Sequence, residues 1–250
     1  MKVGIVGSNG HVGSAMKKIF PHAICFDLNI GTKEEINSCD TVFICVPTPS
    51  KEDGSCDTGI VENVISWLDV PLIIIRSTVS IGFTDAMMKK YRKEIVFQPE
   101  YYGETADHPF SDLSEQKWLT FGGNEKGIHL AIKTYQSIRN SNVAIHMGDA
   151  KSIELAKYME NAFLAMKVIF CNEMKDIGDA LGANYDVARE AWLADPRIGR
   201  SHTFVYDDAR GFSGSCLPKD LANLIYQAKI MDVDHQLIES VERKNKKYHP

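Results

Sequence analysis

The chain has 250 residues, 44% of them hydrophobic and 24% charged, a balance that excludes a disordered, collagen-like or low-complexity protein. A formal net charge of -5 argues against a broad nucleic-acid surface, which needs clustered Lys and Arg to meet phosphates. The length is enough for one large domain or two ordinary ones, with a real core.

The N-terminal MKVGIVG is a short apolar run closed by glycine, with no signal-peptide pattern. Segments Lys2–Val6, Ala23–Phe26, Thr41–Val46, Leu72–Ile75, Ile95–Phe97, Trp118–Phe121 and Val143–His146 read as strands, being short, β-branched or aromatic, and bounded by polar or turn residues. Helical patterns at Val12–Phe20, Thr58–Leu68, Thr84–Tyr91 and Lys126–Arg139 separate several of them. The alternation predicts an α/β fold with a mostly parallel sheet and helices on its faces. From Asp149 to Leu181 there is no proline and a single glycine, and apolar residues recur at helical spacing, which predicts one helix of about thirty residues. A helix follows Asn184, then an irregular stretch from Asp195 to Ser215, then helices over Pro218–Met231 and His235–Lys247. The change of character puts a domain boundary at 148: α/β over 1–148, all-helical over 149–250.

The longest apolar run, Pro71 to Ile75, is too short to cross a bilayer. Six cysteines lie scattered without CxxC spacing, which predicts no disulfide framework, no metal site and a reducing, cytoplasmic setting.

Gly7-Ser-Asn-Gly10-His11-Val12-Gly13 follows the first strand and opens a helix. Glycines there permit a tight turn, approach of backbone to a pyrophosphate and close helix–strand packing. Asp27 ends the second strand, 20 positions after Gly7, where an acid hydrogen-bonds the adenosine ribose and disfavours a 2′-phosphate. The pair predicts a dinucleotide site that takes NAD rather than NADP, in a Rossmann-like domain. A second motif, Gly211-Phe-Ser-Gly-Ser-Cys216-Leu-Pro218-Lys219-Asp220, sets a cysteine just before a helix that Pro218 can open. The helix dipole and Lys219 favour a thiolate there. A buried structural cysteine is the competing reading of the motif taken alone.

An ordered series of further motifs accompanies these two: Val46-Pro47-Thr48-Pro49, Asp53-Gly54, Ser77-Thr78-Val79, Phe97-Gln-Pro99-Glu100, Glu104, Glu154, Lys157, Asn161, Asn172-Glu173 and Asp195-Pro-Arg197-Ile-Gly199. Together they resemble the UDP-glucose 6-dehydrogenase (UDP-glucose/GDP-mannose dehydrogenase) family from residue 1 to about 248. The resemblance implies two-step oxidation of a nucleotide sugar's C6 alcohol, UDP-glucose above all, to the uronic acid with two NAD+, a step toward polysaccharide biosynthesis. It implies that Cys216 captures the aldehyde as a thiohemiacetal that becomes a thioester. Lys157 and Asn161 would stabilise the oxygen at C6, Thr78 and Glu104 would position water with Glu104 as general base, and Asp220 would share that water or orient Lys157. Gly7, Gly10, His11, Val12, Gly13, Asp27, Thr48, Thr78, Glu104 and Lys219 would line the cofactor. Glu100, Tyr101, Tyr102, Glu104, Lys157, Asn161, Phe212 and Gly214 would meet substrate, with Arg197 approaching from a neighbouring subunit.

The sequence departs from the family pattern in four places. The glycine turn is one residue longer, Gly103 replaces an arginine, Ser213 replaces a glycine, and the stretch between Asp27 and Thr41 is abbreviated. The family's further α/β domain, which holds the substrate nucleotide, has no counterpart before Pro250. The expectation is a short form that dimerises through its helical domain, with a separate chain as one source of the nucleotide pocket. Two other readings remain: a single-step NAD-dependent alcohol dehydrogenase, and a catalytically silent cofactor-binding partner subunit.

Overall fold

Strands β1 (Val3–Val6), β2 (Ile24–Phe26), β3 (Thr41–Ile44), β4 (Leu72–Ile75), β5 (Ile95–Phe97), β6 (Trp118–Gly122) and β7 (Ala144–Gly148) form one sheet. They match all seven segments predicted from the sequence to within two residues at either end. The computed structural model describes residues 1–101, 116–136, 138 and 142–249. By its internal contacts the chain divides into two units, Met1–Pro49 with Cys56–Lys157, and Ser50–Ser55 with Tyr158–Pro250.

In the first unit the strand order is β2-β1-β3-β4-β5-β6-β7, and every pairing is parallel except β5–β6. Side chains alternate across the sheet, as pleating requires. Val3, Ile5, Phe43, Ile74 and Val96 enter one core with α1 (His11–Ile19) and α5 (Glu125–Gln136). Val42, Ile44, Ile73, Ile75 and Phe97 enter the other with α2 (Lys33–Asn37), α3 (Gly59–Trp67) and α4 (Phe83–Tyr91). The result is a sheet covered on both faces, and each fully buried aliphatic side chain contributes about 1.5–3 kcal/mol. Helix α2 has no counterpart among the predicted elements, although Thr32 and Glu35 form a complete capping box at its start. Because β2 lies on one side of β1 and β3 on the other, the winding reverses between β1 and β3. Ligands of open α/β sheets bind outside the carboxyl ends at such a point.

Helix α6 (Ala150–Leu181) runs 32 residues without a break. Near its start the buried Glu154 accepts the backbone N–H groups of Gly82 and Thr84, so it supplies the cap that Gly82 lacks at the start of α4. The second unit adds α7 (Tyr185–Trp192), capped by the Asn184 side chain, α8 (Leu217–Ile230) and α9 (Gln236–Tyr248). Its core joins Ala165 and Ile169 of α6 to Leu221 and Ile225 of α8, Val241 of α9 and Phe212. Among the described residues no helix is long and apolar enough to cross a membrane.

Glu154→Ala leaves two N–H groups without an acceptor and should cost about 1–3 kcal/mol by urea denaturation. Burial raises the Glu154 pKa, against the pull of its hydrogen bonds, so the folded chain binds that proton more tightly than the unfolded chain. Relative to Glu154→Gln, the parent chain should therefore be most stable below the unfolded carboxylate's pKa and lose that margin as pH rises through the raised value. A margin that instead grows with pH would contradict the assignment.

Candidate functional site

At the carboxyl end of β1 the chain turns on Gly7, whose φ is +81°, a left-handed value that glycine alone adopts freely. A Cβ at Gly7 would stand 2.6 Å from the Cys45 carbonyl oxygen just beyond β3, and one at Gly13 would stand 2.1 Å from the Gly7 carbonyl oxygen. Neither has room. The bare turn therefore lies against the end of β3, and α1 lies against the turn. Gly10 caps α1 without a side-chain hydrogen bond, so the first-turn N–H groups have no acceptor from a cap side chain. The Ser8 hydroxyl is buried and makes no hydrogen bond. Asp27 closes β2, and its carboxylate accepts the N–H of Asn9 inside the lengthened turn at 2.8 Å and that of Leu28 at 2.8 Å. A glycine turn, a helix N-terminus and a strand-end acid fit the pyrophosphate and ribose of NAD.

Beyond β3 and β4, the buried Thr48 donates its hydroxyl to the Thr78 carbonyl at 2.7 Å, tying two predicted residues together. Arg76 follows β4 and is 4% exposed; it donates Nη1 to the Pro99 carbonyl at 3.2 Å and pairs Nη2 with Glu100. Burial opposes the charge on Arg76, and the Glu100 carboxylate and smaller contributions from Tyr135 and Cys45 together outweigh it, so the guanidinium is held above its ordinary pKa. Burial pushes the neighbouring Cys45 thiol up to about 12, against the pull of Arg76. One residue after Glu100, the Tyr101 ring lies 5.0 Å from the Lys157 ammonium, a cation–π contact worth about 0.5–2 kcal/mol. Lys157 itself is buried. Tyr102 and Glu104 lie outside the described residues.

In the second unit Cys216 is exposed and caps the N-terminus of α8, with Pro218 in the first turn. Its carbonyl accepts the Asp220 N–H at 2.9 Å. Asp220 is 2% exposed; its carboxylate accepts Asn161 Nδ2 at 2.5 Å and pairs with Lys219. The ammonium expected beside the thiol thus has the acid as its partner. One turn along, Asn223 Nδ2 donates to the Tyr158 hydroxyl at 2.6 Å, both side chains being buried. Tyr158 and Asn161 on α6 therefore face Asn223 and Asp220 on α8 as two rungs between antiparallel helices. Tyr158 and Asn223 are not among the residues singled out from the sequence, though each stands three positions from a partner that is.

The turn at Gly54, whose φ is +86°, belongs to this unit, and a Cβ there would meet the Ala222 carbonyl at 3.3 Å. Gly214, at φ +85°, precedes the thiol in a conformation open to glycine. Phe212 is buried in the helical core. Arg197 is exposed and paired with Asp195 of its own chain.

Fold and glycine turn together define an α/β protein of the dinucleotide-binding class, joined to a helical unit with a helix-capping thiol. Residues 14–138 match the UDP-glucose/GDP-mannose dehydrogenase family's NAD binding domain, and residues 151–247 match its central domain. The chain belongs to this family. It is 31% identical over 225 residues to a UDP-glucose 6-dehydrogenase of Rickettsia bellii, covering 85% of this chain and 50% of the relative. It is 30% identical over 230 residues to one of Pseudomonas aeruginosa, covering 85% and 49%. The chain thus spans about half the length of the curated relatives it matches. Its fold is that of a UDP-glucose dehydrogenase from Pyrobaculum islandicum, with TM-score 0.84 and 22% identity, covering 98% of this chain and 68% of the other. A UDP-D-ManNAc dehydrogenase from Pyrococcus horikoshii shares the fold with TM-score 0.82 and 24% identity, covering 99% and 69%.

Gly13→Ala forces a Cβ onto the Gly7 carbonyl and should lower NAD affinity by at least about tenfold, or 1.4 kcal/mol, in a calorimetric titration. Unchanged affinity would exclude the turn as the pyrophosphate cradle.

Proposed function

We propose that this chain carries out the NAD-dependent oxidation of the C6 alcohol of a nucleotide sugar, UDP-glucose being the leading substrate, to the uronic acid. The observation that carries the reading is the first turn of α8. There an exposed Cys216 caps the helix, and a buried Asp220, four residues on, holds both Asn161 and Lys219. A thiol set at a helix N-terminus is suited to nucleophilic capture.

NAD, when bound by Gly7, Gly10, His11, Val12, Gly13, Asp27, Thr48 and Lys219, supplies the hydride acceptor for each oxidation. The alcohol first gives up a hydride and a proton and becomes an aldehyde. Cys216 sulfur then bonds to the aldehyde carbon, and the oxygen takes the thiol proton. This thiohemiacetal gives up a second hydride and a proton, leaving a thioester on Cys216. Water adds to the thioester carbon, the carbon–sulfur bond breaks, and the acid and the thiol are released. Covalent capture keeps the aldehyde from escaping between the two oxidations. Lys157 and Asn161 stabilise the oxygen that carries negative charge at C6, and Thr78 with Glu104 as general base orients the water. Asp220 fixes Asn161 and Lys219. Glu100, Tyr101, Tyr102, Gly214 and Arg197 meet the sugar nucleotide, Arg197 from a second subunit, whereas Phe212, expected from the resemblance to meet it as well, lies in the helical core.

A homodimer formed through α6 is part of the proposal. Met159, Phe163, Phe170, Met174, Ile177 and Leu181 are exposed large apolar residues repeating at three, four and seven positions along this helix. A stripe of that period buries itself against a matching helix.

Incubation with UDP-glucose should yield two NADH per sugar, counted by absorbance against uronate released. Cys216→Ser should stop at the first NADH equivalent, and Lys157→Ala should slow turnover by about 10²–10³-fold. One NADH per substrate would point to a single-step alcohol dehydrogenase. Tight NAD binding without turnover across UDP- and GDP-sugars would point to a silent subunit.

A further inference from the structure

We infer that Asn245, on α9, is a positioning residue for the loop that carries Cys216; this rests on the role proposed for that thiol. The Asn245 side chain makes two hydrogen bonds to one residue of the main chain. Its Oδ1 accepts the Phe212 N–H at 2.8 Å, and its Nδ2 donates to the Phe212 carbonyl at 2.9 Å. A planar amide used in this way grips a backbone as a neighbouring strand would, with both donor and acceptor satisfied.

The two preceding residues are held from α6. The buried Asn172 accepts the Gly211 N–H at 3.2 Å and Arg210 Nε at 2.6 Å through its Oδ1, and Arg210 also reaches the Asn172 carbonyl at 2.9 Å. Gly211 has φ +73°, and a Cβ there would stand 2.5 Å from Asn245 Oδ1 and 3.1 Å from Tyr248 Cβ. The missing side chain at 211 is what allows the amide to close on Phe212.

Only Ser213, Gly214 and Ser215 separate this clamp from Cys216. On its far side Cys216 is fixed by the first turn of α8, through its carbonyl and the Asp220 N–H. The four steps from Phe212 to Cys216 span at most about 14 Å, so a short tether links the clamped main chain to the thiol. A nucleophile displaced by about 1 Å can lose on the order of 10²-fold in rate. Asn245 touches neither the thiol nor any reacting atom; it acts through the main chain of Phe212.

The test uses the full chain and four variants: Asn245→Ala, Asn245→Asp, which keeps the acceptor and removes the donor, Gly211→Ala, and the Gly211→Ala/Asn245→Ala double. Alkylation of Cys216 by iodoacetamide is followed by mass spectrometry without sugar or NAD across pH, with Cys216→Ser identifying the signal. NAD dissociation constants and thermal unfolding are measured alongside. The parent profile should differ from that of an unstructured peptide bearing the same cysteine. Asn245→Ala should move it toward the peptide and lower turnover by about 10–10²-fold, with NAD affinity unchanged. Asn245→Asp should fall between, which keeps the test decisive if Asn245→Ala does not fold. Gly211→Ala should reproduce the effect, and the double variant should be no worse than the worse single, as expected of one shared contact.

The inference is overturned if the variants lose thermal stability alone while Cys216 keeps the parent profile. Additive single effects, or a parent profile matching the peptide, overturn it equally. Since alkylation needs no substrate, a parent chain that turns over no nucleotide sugar defeats the proposed function, while the alkylation profiles still decide the role of Asn245.

Discussion

Two absent β-carbons govern the dinucleotide end of this fold. The carbonyl of Gly7 lies where a Cβ of Gly13 would be, and the carbonyl of Cys45 lies where a Cβ of Gly7 would be. Strand β1, its turn and helix α1 are thereby drawn together at the place where the winding of the sheet reverses. Within the turn itself the N–H groups of Gly7 and Ser8 bond the Phe26 carbonyl and that of Gly10 bonds the Gly7 carbonyl, which fixes its shape. The additional residue in the turn does not loosen it, because Asp27 takes up the Asn9 N–H. An acid suited to a ribose thus also organises the turn that receives the phosphates.

The helical unit solves a different problem, that of carrying polar groups through a packed interior. A carboxylate as buried as Asp220 is costly unless its oxygens are occupied, and here Asn161 and Lys219 occupy them. The Tyr158–Asn223 rung adds a second directional constraint one turn away. Apolar surfaces between α6 and α8 could slide over one another; two rungs of buried hydrogen bonds fix their register. Cys216 inherits that precision because its own carbonyl is bonded to the backbone of Asp220.

Much of this was legible in the sequence, for reasons that differ from place to place. The strands are short runs such as Leu-Ile-Ile-Ile, whose β-branched residues suit a sheet buried on both faces, and the long helix has no interior breaker until Gly178. The reversed direction of β6 against β5 was not legible, because apolar runs do not encode strand direction. Helix α2 was passed over because five residues carry too little periodicity, although the Thr32–Glu35 capping box marks its start. The turn at Gly7 and the motif around Cys216 are contiguous, so their chemistry could be read from neighbours in the chain. Arg76, Asn172, Asn223 and Asn245 were not singled out as site residues. Their partners lie 24, 38, 65 and 33 positions away, and isolated polar residues acquire meaning only when folding supplies the other half of the bond.

The Arg76–Glu100 pair has a bearing on how this chain can change over time. Both groups are almost without solvent, so truncating Glu100 removes the carboxylate that offsets the burial of the Arg76 guanidinium. Replacement of both together by well-packed apolar side chains carries no such penalty. The pair thus ties the end of β4 to the segment after β5 as a unit, in which exchanging one member costs more stability than exchanging both.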